Sequence, residues 1–535
     1  MALNAQEQQM TDNALAALQS GNLDKETADK IIRLARRMEK ERKTKETRER
    51  MRKNTPALVL SLYPSSADDF DLTEIGQAKH FGETFIEQIR YTEEYGWLFY
   101  QQYGEGGRWI KGAQEEVKRL YHRFNDDQVH AALDMLNDTA DDKDPAAQQA
   151  AKLLAFALKM RTASSTSKIL EQAKPYVMQK AEELDADPFK LNTPSGLVDL
   201  LTGAVKRSSP NDLCTHMTAS EYDRDGTHSA GNAWQDFLKV VTDGDQELQD
   251  YLQLIIGRAV LGIVLAQELI ILYGKGGNGK STFMNSIMNV LGDYCVSFEG
   301  ETLMDTHNNS AQFDRARLHG ARLAVFKELK ENRTLDTAAL KSIASTDRVT
   351  AAIKYQMPFD FKPSHSPFLY SNHLPNVNAR DNGTWDRLKI VPFNHLFRGQ
   401  QGEKLNYEET LVSKFGSDIL RWIVCGAAWA AGNNFKVEEP KTVTELVKNY
   451  RTSTDWLQQF LTCCCEQYPA ETGKQIPART LRITYESYCA DEGIKPVSLT
   501  RFKRALEEQG FKHGRNASGQ YYIGLELKNA DDTLE

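Results

Sequence analysis

The chain has 535 residues, more than one hydrophobic core serves, so at least three folding units are expected. Its 40% hydrophobic and 26% charged residues are ordinary globular composition, and with no apolar run of about 18 residues a membrane-spanning helix is excluded. A net charge of −8 excludes a surface coated with phosphate-binding groups but not a locally basic face, so charge distribution decides the question of nucleic acid.

Residues 1–55 read as a basic arm, helical or disordered. Met1–Ser20 is polar and lacks the apolar stretch of a secretory signal, and a cytosolic protein is the expectation. Between Arg33 and Lys53 basic residues (Arg36, Arg37, Lys40, Arg42, Lys43) alternate with glutamates. A solvated helix is the plain reading and a DNA-touching arm the sharper one. Residues 56–184 form a mainly helical domain. Within it the aromatic stretch Tyr91–Trp109, with Gly104, Gly106 and Gly107, predicts a small packed sheet with a tight turn. Residues 185–250 are rich in turn signals such as Asn192-Thr193-Pro194-Ser195-Gly196, with short strands such as Leu197–Leu201, and a helix is predicted over about Gln246–Leu265. The seven cysteines contain no CxxC pair. Cys463-Cys464-Cys465 reads as small residues on a helix, and all seven as reduced thiols.

Leu269-Ile270-Ile271-Leu272-Tyr273 is a short continuous apolar run, as a buried parallel strand should be. Gly274-Lys275-Gly276-Gly277-Asn278-Gly279-Lys280-Ser281-Thr282 follows at once and fits the phosphate-binding pattern G-x-x-x-x-G-K-[ST], with a helix predicted over Lys280–Leu291. Glycines let the backbone wrap phosphates with its N–H groups inward, and the helix N-terminus adds its positive end. In this arrangement Gly274, Gly276, Gly277, Asn278, Gly279, Lys280, Ser281 and Thr282 hold ATP. Lys280 neutralises the β- and γ-phosphates, and the Ser281 hydroxyl completes Mg²⁺ coordination.

Arg322–Phe326 is a second strand candidate, ending in Lys327-Glu328. An acid at the C-terminal end of a parallel strand beside a phosphate loop is where Mg²⁺ and the attacking water are managed, so Glu328 takes that role, with Glu331 as its competitor. Pro367–Tyr370 is a third, ending in Ser371-Asn372-His373, and its amide suits orientation of the attacking water. Then come Trp385-Asp386-Arg387 and a strand over Leu388–Pro392. An arginine so placed suits an arginine finger reaching across a subunit boundary.

Together these residues resemble the superfamily 3 helicases, specifically the phage/plasmid primase–helicase family that includes the poxvirus primase–helicase. Leu191–Leu200 looks like the signature of the domain preceding the motor. Phe326-Lys327-Glu328-Leu329 resembles the Walker B strand end, and Leu340–Tyr355 the B′ segment. Ser371-Asn372-His373-Leu374-Pro375 resembles the sensor motif, and Gly383–Leu388 the finger motif. Two departures stand out: Lys327 where many such motors carry a second acid, and Asp386 where a second arginine is expected. The finger therefore falls to Arg387, with Arg380 as alternate. The resemblance implies an AAA+-type P-loop core over residues 251–400, a helical lid or linker over 401–452 and assembly as a homo-hexamer. It also implies a B′ hairpin whose tip residue Lys354 meets single-stranded DNA in the ring channel, with Lys341 and Arg348 as weaker contacts.

Residues 453–535 predict helices over Asp455–Cys465, Arg479–Cys489 and Ser498–Gln509, then a hairpin through Lys512–Asn516 and Gly519–Gly524. That pattern makes a winged helix. Arg501, Lys503 and Arg504 on its third helix and Lys512 and Arg515 on its hairpin resemble a recognition helix and wing contacting duplex DNA. A merely solvated basic face is the alternative.

Primer synthesis needs its own strand-borne carboxylates. Asp69-Phe70-Asp71 and Asp142-Lys143-Asp144 have the spacing but sit in turn-like surroundings, so no primase activity is expected, and a separate primase or initiator is an expected partner. The sequence thus predicts an α/β protein and an ATP-dependent hexameric DNA helicase replicating a phage, plasmid or satellite element. The alternative is a P-loop ATPase that binds or remodels nucleoprotein without processive unwinding, as an interference or defence factor would. A small-molecule kinase is the weakest reading, since it leaves the finger arginine, B′ segment and winged helix unused.

Overall fold

The Thr73 hydroxyl accepts the Gly76 amide at 3.1 Å and so caps helix α1 (Glu74–Thr84). The computed structural model describes residues 71–137, 145–227, 229–305, 315–331, 333–351, 359–377, 381–397, 406–516 and 519–528. The basic arm, Lys354, Arg380 and the acids at 69 and 141–144 lie outside them. The described residues divide into two units, one holding those up to Phe99 and within Gly112–Gln179, the other Tyr100–Lys111 and those from Lys180 on.

In the first unit, strand β1 (Ile89–Thr92) pairs antiparallel with the start of β2 (Gly96–Tyr103), Ile89 opposite Phe99. After β3 (Gly106–Lys111), which belongs to the second unit, come α2 (Gln114–Asn137), α3 (Pro145–Lys159) and α4 (Ala163–Ala173). Phe81, Phe85, Trp97, Tyr121 and Phe124 fill the core between them. The aromatic stretch is therefore core, as its composition predicted. Its second half serves the other unit, where the Trp109 amide donates to Cys214 (2.8 Å) and its indole to Pro210 (2.8 Å).

The second unit continues with β4 (Lys190–Thr193), β5 (Gly196–Asp199) and β6 (Val205–Lys206), an antiparallel set, and then α5 (Ala233–Val241) and α6 (Gln246–Ala259). Helix α6 is shorter than its apolar pattern predicted. The pattern runs on because Val260 and Leu261, in the turn that follows, are themselves fully buried. Next come β7 (Leu269–Tyr273), α7 (Lys280–Leu291), β8 (Cys295–Glu299), β9 (Leu323–Lys327) and α8 (Thr337–Ile343). Strands β10 (Val349–Ala351) and β11 (Phe359–Phe361) pair antiparallel, followed by β12 (Ser366–Ser371), short helix α9 (Asn382–Trp385), β13 (Leu388–Pro392), α10 (Tyr407–Gly432) and α11 (Lys441–Thr454).

Five strands form one parallel sheet in the order β13-β7-β12-β9-β8. Successive strand residues point to opposite faces, so a run apolar at every position needs cover on both. Ile270 and Leu272 join a core with α5, α6, α7 and α10, while Leu269 and Ile271 join a second core with α8 and Trp385. Leu191, Val198 and Leu200 pack into the first of these cores, so the turn-rich segment shares it with the sheet.

The remaining elements are α12 (Trp456–Cys464), β14 (Cys465–Gln467), β15 (Gln475–Pro477), α13 (Ala478–Asp491), α14 (Leu499–Glu508), β16 (His513–Asn516), β17 (Gly519–Ile523) and β18 (Leu525–Leu527). They enclose a core of their own built on Phe460, Tyr485, Phe502 and Leu506. All seven cysteines are free thiols, and Cys465 starts a strand rather than continuing the helix. Among the described residues, no helix is long and apolar enough to cross a membrane.

Candidate active site

The register of the sheet brings three chain segments to one edge. Tyr273, which ends β7, stands opposite Ser371, which ends β12, and Tyr370 stands opposite Lys327, which ends β9. The glycine-rich loop, Asn372 and Glu328 therefore leave the sheet side by side. Two glycines of the loop are required by geometry. A side chain at Gly274 would collide with the Phe393 carbonyl at 2.1 Å. Gly279 takes φ +85°, immediately before α7, where a side chain would also meet Val241 at 2.7 Å.

Lys280 opens α7 and is only 4% exposed. Its ammonium donates to the Gly274 carbonyl (2.7 Å), the Asn278 side-chain oxygen (2.7 Å), the Asn372 side-chain oxygen (2.9 Å) and, longer, the Lys275 carbonyl (3.3 Å). All four acceptors are neutral, so the positive charge is hydrogen-bonded without being neutralised. Burial accordingly pulls the amine down to about 8, against the opposing field of Glu328. Asn278 is buried and its amide donates to the Phe393 carbonyl at 2.5 Å, which fixes the oxygen that faces Lys280. Ser281 is exposed and Thr282 half-buried in the first turn of α7, while Gly276 and Gly277 are exposed in the loop. A buried cation at a helix N-terminus, beside a glycine loop, suits an anion of phosphate type.

Glu328 is exposed and sits at φ +50°, in the left-handed region, with its amide donating to Tyr370 at 3.0 Å. A non-glycine residue there costs roughly 1–2 kcal/mol, strain of the kind that gathers at functional positions. Glu331 is exposed nearby and pairs with His373 at 3.7 Å. Sequence reading missed Ser371. Its hydroxyl, almost fully buried, accepts the amides of both Leu329 (3.2 Å) and His373 (3.0 Å), tying the turn after Glu328 to the turn after Asn372. The only local signal was its place directly before Asn372.

Arg387 is not in this cluster. Leu388 pairs with Leu269, at the opposite end of β7 from Gly274. Five residues of strand put Arg387 about 17 Å from its own loop. Its guanidinium donates to Gly383 (2.6 Å) and Gln267 (2.9 Å). Nearby Asp381 is held below the usual carboxylate value, first by the Thr384 hydroxyl and then by the charges of Lys341 and Arg387. Lys341 is exposed on α8. Arg348 is exposed just before β10 and lies 3.8 Å from Glu182. Far along the chain, Arg501 and Arg504 are exposed on α14, and Arg504 pairs with Glu508 at 2.8 Å. Lys503 reaches Gln520 of β17 at 3.4 Å, while Lys512 and Arg515 are exposed on the hairpin side of the same subdomain.

Comparison with known proteins places a domain described as D5 N terminal like at residues 78–243 and a family of unknown function (DUF5906) at residues 272–387. A protein of Acanthamoeba polyphaga mimivirus named "Putative helicase L207/L206" is 28% identical over 297 residues, covering 52% of this chain and 30% of that one. The Sputnik virophage protein "Putative helicase V13" is 22% identical over 52% of this chain and 37% of its own. African swine fever virus "Putative primase C962R" is 24% identical over 63% of this chain and 37% of its own. The chain thus matches under two fifths of the length of these relatives. Among solved structures, the C-terminal region of NrS-1 superposes with a TM-score of 0.38 at 13% identity, covering 61% of this chain and 88% of that one.

Proposed function

We propose that this chain, a member of a primase–helicase-like family carrying a D5 N-terminal-like domain, is an ATP-driven DNA helicase with a superfamily 3, AAA+-type motor. The observation that carries the reading is the convergence of Lys280, Asn278, Asn372 and the field of Glu328 at the ends of three adjacent parallel strands.

In this reading the ammonium of Lys280 exchanges neutral acceptors for the oxygens of the β- and γ-phosphates, and the loop amides and α7 N-terminus hold the rest of the chain of phosphates. The exchange releases the Asn372 amide to orient the attacking water, and Glu328 takes its proton. Exposed hydroxyl and carboxylate oxygens at Ser281 and Glu328 are hard donors of the kind Mg²⁺ takes, so the residues present fit that ion. When bound, Mg²⁺ would supply neutralisation of charge developing on the phosphates. Arg387, remote from its own loop, serves a neighbouring subunit's nucleotide in a homo-hexameric ring.

DNA is engaged at two places. A single strand passes the ring channel along Lys354, Lys341 and Arg348, and the C-terminal subdomain, read as a winged helix, meets duplex through Arg501, Lys503, Arg504, Lys512 and Arg515. The helix-plus-hairpin arrangement and the Lys503–Gln520 contact across it support that second site. Primer synthesis is left to a separate primase or initiator.

The test is unwinding of a labelled forked DNA with ATP and Mg²⁺, wild type beside Lys280→Ala. Unwinding by the wild type alone is expected. Hydrolysis without strand separation, with the element's own replication proteins also present, would replace the helicase with a nucleoprotein-remodelling ATPase.

A further inference from the structure

The last turn of α11 touches both segments that the proposed chemistry depends on. The Tyr450 hydroxyl donates to the Pro375 carbonyl at 2.6 Å, and its ring meets Trp385 edge-on at 5.6 Å. The next residue, Arg451, donates to the Asn382 side-chain oxygen and lies 6.0 Å from the Trp385 ring centre. Pro375 is in the loop that follows Asn372. Asn382 opens α9, and Trp385 closes it just before Arg387. The loop is held on its other side by the segment after Glu328: the Asn376 amide donates to Arg333 (2.6 Å), and Leu335 donates to Asn376 (3.0 Å). Past Arg451, Asp455 accepts the Gln458 amide at 3.1 Å and so caps α12, the first helix of the C-terminal subdomain.

We infer that Tyr450 and Arg451 are positioning residues: Tyr450 sets the loop that presents Asn372, Arg451 sets the α9 segment that presents Arg387, and the two together couple both to the C-terminal subdomain. The physical basis is the size and rigidity of the contacts. A two-residue span of helix cannot move one partner without the other, and Trp385, 3% exposed, is shared by both side chains. Burial pushes the Tyr450 hydroxyl up to about 12, so it is a neutral donor at neutral pH. Displacement of α11 by a load on the C-terminal subdomain is thereby felt at the sensor amide and at the finger. The inference rests on the roles proposed above for Asn372 and Arg387.

Tyr450→Phe removes one hydrogen bond and keeps the ring contact with Trp385, while Arg451→Met removes the donor and keeps a long stem over the same ring. In steady-state ATP hydrolysis by the full chain, Tyr450→Phe is expected to lower kcat about fivefold, the worth of one hydrogen bond, with KM within twofold because the phosphate loop is untouched. Combined with Asn372→Ala, it should cause no loss beyond that of Asn372→Ala alone. Arg451→Met should behave the same way toward Arg387→Ala. Losses that multiply in the double variants, or a Tyr450→Phe enzyme with wild-type kcat, would overturn the inference. A normal rate in Asn372→Ala itself would instead remove the sensor reading, and the inference with it.

Discussion

The Lys280 ammonium lies 2.9 Å from the Asn372 side-chain oxygen, joining the first turn of α7 to the end of β12 across the strand boundary. The contact makes Asn372 one of the four neutral acceptors that hold the buried ammonium. It also makes Asn372 the partner that a phosphate oxygen would displace. Loss of the ammonium in Lys280→Ala should lower ATP turnover by on the order of 10² or more. Unchanged turnover would remove the phosphate-loop assignment.

The same lysine sets a pH dependence. Burial brings its value from 10.5 to about 8, so the charged form that attracts phosphate prevails below pH 8 and is lost above it. ATP affinity should be flat from pH 6.5 to 7.5 and weaken as pH rises through 8, whereas Lys280→Arg should show no such decline. Between about 8 and 10.5 the unfolded chain binds more protons than the folded one, so the destabilising contribution of this group fades as pH rises through that window. Titration of ATP binding from pH 7 to 9.5 decides it, and a flat wild-type profile would reject the shift.

Glu328 is strained, and its replacement separates stability from chemistry. Asparagine tolerates a left-handed backbone better than glutamate, so Glu328→Asn should be as stable as wild type or up to about 1 kcal/mol more so, yet fail to hydrolyse ATP. Glu328→Gln should bind ATP and hydrolyse it poorly. Full activity in either variant would transfer the role to Glu331.

Arg387 stands too far from its own loop to serve it, which makes a strong prediction for mixed assemblies. Adding Arg387→Ala subunits to wild type should depress hydrolysis more than in proportion to their fraction. A strictly proportional decline would show that no subunit depends on its neighbour's arginine. Loss of its bonds to Gly383 and Gln267 should cost about 2 kcal/mol of stability, too little to explain an inactive enzyme.

If the C-terminal subdomain binds duplex through its exposed basic residues, each phosphate contact contributes to the salt dependence. Arg501→Ala combined with Arg515→Ala should reduce the slope of log affinity against log salt by about 1.8 in binding of the full chain to blunt duplex DNA. An unchanged slope would leave these residues as a solvated face.

Much of the site was legible because its signals are local. A continuous apolar run at Leu269–Tyr273, glycines at fixed offsets and a lysine at the start of a helix each act within a few residues, and strand β7 and helix α7 occupy the predicted residues. The hairpin at His513–Ile523 was equally local, set by alternation around a turn. Ser371 was not legible, because a serine at a strand end has many uses and only pairing with β9 brings Leu329 within its reach. Tyr450 gave no signal at all: its partner Pro375 lies far back in the chain and is met only when α11 packs on β13.

What the amino-acid order alone determined is therefore the set of elements and the chemistry each one ends in, since hydrophobic period, turn residues and helix starts are nearest-neighbour properties. The order of strands was a different matter. Placing β12 between β7 and β9 is what sets Asn372 between the glycine loop and Glu328, and that choice is made by which apolar faces bury against which helices. The same packing carried Arg387 to the far end of the sheet, although it is separated from Asn372 by a short stretch of chain. Distance along a chain is not distance in a folded sheet, because the connection between two parallel strands must carry the chain back across the layer to the edge at which the next strand starts.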